Sequence, residues 1–201
     1  MYLRKKLKLF VLLFLSNIHL IQSQMASSPE MANPILIGEI VPNAKLLDPY
    51  GKIIELNNLI KNKKSILVFY RGGWCPYCNQ QLSILAAIEE EIVEEGYQII
   101  AISPEDFENL IPTKEMDKIS YTLLSDPDGM FIQKMGLAYT ASEKTKFYMS
   151  KKSLGKTPET LPIPSVMIVD TKGQILFQFI SRDCKNRVRP ELLAAVMKNI
   201  K

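Results

Sequence analysis

Ser65-Ile66-Leu67-Val68-Phe69-Tyr70 leads directly into Arg71-Gly72-Gly73-Trp74-Cys75-Pro76-Tyr77-Cys78, and this stretch decides the fold. Its first half is mostly apolar without polar alternation, which predicts a buried central strand. Its second half opens a run with apolar residues at helical spacing, so the cysteines lie at a strand-to-helix junction. At that junction Cys75 lies over the unpaired N–H groups of a helix N-terminus, which favour an anion.

A Cys-x-x-Cys pair at such a junction indicates redox chemistry. The thiolate is the reactive form of cysteine, and a helix N-terminus lowers the thiol pKa from about 8.5 into a range of roughly 3.5–7.5. Cys78 lies on the same helix face as Cys75 and can close a disulfide with it. We predict Cys75 as the nucleophile and Cys78 as the resolving thiol. A small buried structural thiol is the alternative for each.

Cysteine and histidine usage argues against a metal site, and we predict neither a metal nor a cofactor. The chain has three cysteines, of which the third, Cys184, stands in a polar segment. Its one histidine, His19, falls in the predicted leader, so a four-ligand zinc site would need Cys184 and a carboxylate. For Cys184 the alternatives are a third redox thiol, an intermolecular cross-link and an incidental free cysteine, which is favoured.

Residues 1–23 have the pattern of a secretory signal peptide. A basic start precedes an apolar run from Leu9 to Leu15, and Ser23 stands before the expected cleavage point. The run is shorter than the roughly 20 residues of a membrane span, so an uncleaved anchor is the weaker alternative. We expect export to the periplasm or the extracellular space, a linker over 24–37 and one domain over 38–201.

The charge balance gives no indication of a polyanionic partner. The formal net charge of +4 is carried by the basic residues of the leader, which leaves the rest of the chain near neutral. We therefore predict no nucleic-acid binding and no stable membrane association after cleavage.

The remaining sequence predicts alternating strands and helices. In order these are a hairpin of strands 44–47 and 52–55, helix 56–60, the central strand, helix 75–95, strand 97–103, helical stretch 104–117, strand 121–124, helix 128–135, a hairpin of strands 165–169 and 174–180, and helix 190–200. Residues 137–161 lack periodicity and are predicted as a mobile insertion, with at most a helical turn. This order predicts an α/β, thioredoxin-like fold with a central mixed sheet, an N-terminal β-hairpin extension and an insertion before the final hairpin.

Two helices have apolar faces that predict their packing. In helix 75–95 the predicted core residues are Leu82, Leu85, Ala86, Ile88, Ile92 and Val93, and in helix 190–200 they are Leu192, Leu193, Val196 and Ile200.

Phe69–Cys78 resembles the signature of the peroxiredoxin-like branch of the alkyl hydroperoxide reductase/thiol-specific antioxidant (AhpC/TSA) family. The segments that fit it too are Ser103-Pro104, Leu124-Ser125-Asp126-Pro127, Ile163–Asp170 and Arg187–Pro190. The resemblance covers about residues 38–200 and implies a thioredoxin fold with thiol-based antioxidant activity. It further implies a hydroperoxide substrate and a thioredoxin-type dithiol that reduces the Cys75–Cys78 disulfide.

Two positions depart from the peroxiredoxin pattern. Peroxiredoxins place a threonine three residues before the peroxidatic cysteine, where this chain has Gly72, and an arginine at the start of the penultimate strand, where it has Pro164. Ile163-Pro164-Ser165 resembles instead the cis-proline segment of thioredoxins, so we expect a cis bond, with a trans proline at a strand start as the alternative. Cys-Pro-Tyr-Cys also resembles glutaredoxins. A protein-disulfide reductase is therefore the alternative enzyme, and a non-catalytic binding module is the third hypothesis.

Neighbouring residues complete the predicted site. Arg71 is a candidate for stabilising the thiolate or an oxyanion, with a solvated strand-end charge as the alternative. Trp74, Pro76 and Tyr77, with Pro164, are predicted to line a groove for a substrate or partner, and core packing is the alternative for Trp74.

Three arginines are candidates for the cation that Pro164 replaces, with surface solvation favoured for each: Arg182, Arg187 and Arg189. The sequence predicts no particular oligomeric state.

Overall fold

The computed structural model describes residues 25–156 and 158–200, so the predicted signal peptide lies outside the described residues. The strands are β1 Lys45–Leu47, β2 Ile53–Glu55, β3 Lys64–Phe69, β4 Tyr97–Ser103, β5 Thr122–Ser125, β6 Ala138–Thr140, β7 Thr160–Pro162, β8 Ser165–Val169 and β9 Ile175–Ile180. The α-helices are α1 Leu56–Ile60, α2 Pro76–Ala87, α3 Glu89–Glu94, α4 Leu110–Met116, α5 Met130–Lys134, α6 Glu143–Ser150 and α7 Pro190–Asn199. Among the described residues, no helix has the length and apolar character needed to cross a bilayer.

Strand β3 lies inside a seven-stranded mixed sheet with the order β2-β1-β5-β4-β3-β8-β9. It pairs in parallel with β4 on one side and antiparallel with β8 on the other, so that Ile66 lies between Ile99 and Ile168. The β4–β5 pair is also parallel, and the remaining pairs of this sheet are antiparallel. Ser65 to Phe69 are buried, which confirms the predicted central strand and the thioredoxin-like α/β fold.

Two clusters of buried side chains cover the two faces of the sheet, because successive strand residues point to opposite sides. One contains Leu67 and Phe69 with residues of α1 and α5. The other contains Ile66 and Val68 with residues of α2 and α7, and both Cys75 and Cys78 belong to it. The cysteine pair is therefore anchored in the core on the α2 face.

The helix predicted over 75–95 is divided at Ile88, where the backbone leaves helical geometry (φ −111°, ψ 12°) and α3 begins. This break changes the phase of the apolar face, so Val93 is 48% exposed rather than buried. In α7 the core side is occupied by Leu193 and Met197, one helical turn apart, and Leu192 is exposed. The core predictions for Val93 and Leu192 are therefore wrong.

Residues 138–140, 143–150 and 160–162 form regular structure, which corrects the prediction that 137–161 is an insertion without regular elements. Strands β6 and β7 pair antiparallel with Tyr139 opposite Leu161, and α6 lies between them. The Ser142 hydroxyl caps α6 by accepting the Thr145 N–H at 3.2 Å. Met149 of α6 is fully buried in a small cluster against Trp74. The strands have only three residues each, so no period was detectable in the sequence.

Candidate active site

The cysteine loop, residues 70–75, joins β3 to α2 and places Cys75 at the N-cap of the helix. Cys75 has an extended backbone, and its carbonyl accepts the N–H of Cys78 at 2.9 Å and of Asn79 at 3.1 Å. Pro76 is the first helical residue, where its missing N–H costs nothing. Cys75 thus lies at the strand-to-helix junction that the sequence predicts.

Cys75 and Cys78 form an asymmetric pair of buried thiols, with 2% and 0% of their surfaces exposed. Hydrogen bonding from the Cys78 thiol, with that from the Cys78 N–H and the charges of two arginines, lowers the pKa of Cys75 to about 6 although burial opposes ionisation. Burial raises the pKa of Cys78, and the neighbouring Cys75 raises it further. At neutral pH the pair therefore holds a thiolate at Cys75 and a proton on Cys78.

Two arginines, Arg71 and Arg187, supply those charges from different parts of the chain. Arg71 of the cysteine loop places its guanidinium carbon 4.8 Å from the centroid of the Trp74 ring. Arg187, just before α7, donates from Nη2 to Cys78 Sγ at 3.7 Å. Arg71 Nε and Arg187 Nε and Nη1 are buried without a hydrogen-bond partner in the described part of the chain. These N–H groups are free to bind a negatively charged oxygen beside the sulfur atoms.

The sequence favours solvated surface positions for Arg182, Arg187 and Arg189. This prediction is wrong for Arg187, which is partly buried. Arg182 and Arg189 are exposed, and Arg182 donates to the Pro29 carbonyl at 3.1 Å instead. The sequence includes Arg187 among three candidate cations. Neither that prediction nor the Arg187–Pro190 segment of the family resemblance distinguishes Arg187 from Arg189.

A cleft of about 390 Å³ opens beside the cysteine loop. Its walls include Trp74 and Pro76 of the predicted groove together with Tyr148 of α6, whose ring meets Trp74 edge-on with centroids 5.9 Å apart. Tyr77 is 39% exposed and lies outside this lining, on the first turn of α2. The structure therefore brings two of the predicted groove residues together and leaves Tyr77 on the adjacent surface.

A family model described as the AhpC/TSA family matches residues 37–178, which contain the cysteine pair. The chain belongs to the AhpC/TSA family. It is 28% identical over 147 residues to the bcp protein of Haemophilus influenzae, covering 73% of this chain and 87% of that protein. It is 27% identical over 143 residues to peroxiredoxin Bcp of Escherichia coli K12, covering 71% and 84%.

A solved structure gives the same fold. Reduced Prx3 from Vibrio vulnificus matches with a TM-score of 0.69 at 18% identity, covering 82% of this chain and 99% of its own. AhpC/TSA membership and the peroxiredoxin relatives identify the chain as an oxidoreductase of the thiol-dependent peroxidase class.

Steric contacts favour glycine at position 72, where peroxiredoxins place a threonine. Gly72 has a φ of +141°, which side-chain-bearing residues rarely adopt, and a Cβ there would lie 2.6 Å from Glu105 Oε2. The same Cβ would overlap Trp74 Nε1. A threonine does not fit at this position unless the carboxyl and indole groups move.

Glu105 is a residue of the site that the sequence analysis missed. It lies two residues after the end of β4, is 1% exposed and accepts the Gly73 N–H at 2.6 Å. A signal for it exists, because segments that follow neighbouring parallel strands meet at the same edge of a sheet. An acidic residue after β4 is therefore placed near the loop that follows β3.

The expected cis peptide bond before Pro164 is wrong, since no peptide bond among the described residues is cis. Pro164 joins β7 to β8, where a trans proline continues the extended chain and its carbonyl accepts the Ser181 N–H at 3.2 Å. The next residue, Ser165, pairs with Phe69 at the end of β3. Pro164 therefore lies beside the start of the cysteine loop.

Tyr139 of β6 lies near both Cys184 and the Cys75–Cys78 pair. Burial raises the pKa of Tyr139, the charge of Arg71 lowers it, and Cys184, Cys78 and Cys75 each raise it further. All three sulfur atoms are thus close enough to affect one phenol group. Cys184 is partly exposed and unpaired with another cysteine, and an incidental free cysteine stays the favoured prediction for it.

We expect alkylation of Cys75 by iodoacetamide to follow a titration with a midpoint near pH 6, measured by mass spectrometry of the modified peptide. Replacing Arg71 or Arg187 by Met removes a charge that favours the thiolate, so the midpoint rises and the rate at pH 6 falls roughly 2- to 5-fold. Arg182→Met is the matched control and leaves the rate unchanged. Faster modification of Cys78 than of Cys75 would contradict the assignment.

Proposed function

We propose that this protein reduces hydroperoxides with the Cys75 thiolate and resolves the product with Cys78. One observation carries the proposal. The Cys78 thiol is hydrogen-bonded to the Cys75 sulfur, and this bond is the largest cause that lowers the pKa of Cys75 to about 6. A thiolate present at neutral pH is the form that attacks a peroxide. The name of the relative from Escherichia coli, a peroxiredoxin, supports this substrate class.

In the first step the Cys75 thiolate attacks the terminal oxygen of the hydroperoxide. A sulfur–oxygen bond forms, the oxygen–oxygen bond breaks, and the alkoxide or hydroxide leaves as an alcohol or water after taking a proton from solvent. Negative charge develops on the departing oxygen, and the unpartnered N–H groups of Arg71 and Arg187 are suited to stabilise it. They would replace the arginine that the family carries at the position of Pro164.

In the second step Cys78 attacks the Cys75 sulfenic acid. A disulfide forms, the sulfur–oxygen bond breaks, and the hydroxide leaves as water with the proton of Cys78. Cys75 is the N-cap of α2 and Cys78 lies in its first turn, so this step does not require distant elements to move together. A thioredoxin-type dithiol would then reduce the disulfide, approaching over Pro76 and the exposed Tyr77 ring.

The second candidate is a reductase of protein disulfides, supported by the Cys-Pro-Tyr-Cys sequence and the glycine at position 72. The trans bond before Pro164 removes one of the features on which this candidate depended. The buried Cys75, at 2% exposure, also favours a small substrate over a protein disulfide.

Stopped-flow fluorescence of Trp74, the only tryptophan, tests the choice after the reduced protein is mixed with hydrogen peroxide or cumene hydroperoxide. We expect a second-order rate far above that of free cysteine thiolate, abolished in Cys75→Ser. Cys78→Ser still reacts once and accumulates a sulfenic acid detectable by mass spectrometry, because the resolving thiol is gone.

Cys184→Ser is the control and retains full turnover. A wild-type rate no faster than that of free thiolate, together with rapid reduction of insulin disulfides, would replace the peroxidase with the disulfide reductase.

We also propose that the protein is exported, on the strength of the basic and apolar pattern of residues 1–23. Expression of the full chain in a bacterium should yield a periplasmic product whose N-terminal residue is Gln24. Replacing Leu12 and Leu13 by Asp should block processing because it interrupts the apolar run. A product that keeps Met1 and stays in the cytoplasm would disprove this proposal.

A further inference from the structure

Glu105 is a buried carboxyl group that the proposed reaction steps leave without a role. Its Oε2 accepts the Gly73 N–H at 2.6 Å, and its Oε1 accepts the Ser153 hydroxyl at 2.9 Å. Burial raises the pKa of Glu105 to about 7, the hydrogen bonds from Gly73 and Ser153 lower it, and the charge of Cys75 raises it. This carboxyl is therefore both a structural anchor and an electrostatic neighbour of the nucleophile.

The carboxyl group fills the space that a side chain at position 72 would use. A Cβ on residue 72 would overlap Glu105 Cδ and lie 2.6 Å from Glu105 Oε2. In the family pattern this side chain is the threonine three residues before the cysteine, and it is absent here. The Glu105 carboxyl occupies this space instead, and it belongs to the segment that follows β4, the strand next to β3.

The same carboxyl connects the cysteine loop to the segment after α6. Ser153 belongs to that segment, and the next residue, Leu154, exchanges two hydrogen bonds with the Asn109 side chain, at 2.9 and 2.7 Å. The backbone carbonyl of Glu105 also accepts the Ser125 hydroxyl. Three separate segments thus hold Glu105 in place, which leaves its carboxyl little freedom to move.

We propose that Glu105 is the positioning residue of the cysteine loop: its carboxyl replaces the missing side chain at position 72, holds the Gly73 amide and places a titratable charge beside Cys75. The inference deepens the proposed peroxidase function and rests on it only for the effect on turnover. The titratable groups near this carboxyl are Cys75 and Tyr70, Lys152 lines the same cleft, and Asp106 is next in the chain. An ionised Glu105 opposes the thiolate, and a thiolate opposes ionisation of Glu105.

Glu105→Gln tests the electrostatic part, because glutamine keeps the shape and the acceptor for the Gly73 N–H but carries no charge. We expect the midpoint of Cys75 alkylation to move to lower pH. Ionisation of Glu105 should cause a pH-dependent transition in the fluorescence of Trp74. In Cys75→Ser the midpoint of this transition should move to a lower pH than in the wild type. In the double variant Cys75→Ser/Glu105→Gln the transition should vanish. Asp126→Asn, which alters another buried carboxyl group, is the control and leaves the Cys75 midpoint unchanged.

Glu105→Ala tests the positioning part, since it removes the acceptor of the half-buried Gly73 N–H. We expect the peroxide rate to fall about 10-fold or more in this variant, whereas Glu105→Gln stays within about threefold of the wild type. Equal rates in the two variants would overturn the positioning role, and an unchanged Cys75 midpoint in Glu105→Gln would overturn the electrostatic one. Both titrations are made without peroxide, so their outcome is independent of whether the protein is a peroxidase.

Discussion

A thiolate buried in the core must have its charge compensated, and the rest of the site is arranged around this requirement at Cys75. Desolvation alone would keep Cys75 protonated. The compensation comes from the first turn of α2, where Cys78 supplies hydrogen bonds, and from two guanidinium groups held beside the sulfur atoms. Because Cys78 is buried as well and keeps its proton, the two thiols differ in ionisation although they are separated by only two residues.

The order of the strands brings these groups to one edge of the sheet. β3 lies between β4 and β8, so the segments at this edge carry the cysteine loop, Glu105 and Pro164 respectively. Arg187 arrives separately, from the segment that leads into α7. The two thiols and two cations of the candidate site are thereby brought together from segments far apart in the sequence.

The sequence predicts those parts of the molecule in which a local pattern and the tertiary structure agree. The apolar run at 66–69 is recognisable as a central strand because both its faces are covered. Pro76 after Cys75 marks a helix start, because proline is tolerated at the first helical position. The break at Ile88 was not predictable, because the apolar period continues through it. Arg187 and Glu105 are set by long-range packing, and neither has a local signal that separates it from other charged residues nearby. The short strands β6 and β7 pair with each other, and β6 also bridges to Ala26, so their burial depends on contacts that no window of sequence contains.

Gly72 and Glu105 are best understood as one linked feature. A side chain at position 72 and a carboxyl at position 105 compete for the same space, so the glycine is the condition for placing the carboxyl there. The carboxyl also accepts the hydroxyl of Ser153, which follows α6. Helix α6 is capped by Ser142 and packs through Met149 and Tyr148 against Trp74. Helix α6 and Ser153 therefore contact the candidate site directly. A substitution of Gly72 by threonine without a change at position 105 would disturb both the cysteine loop and the docking of α6.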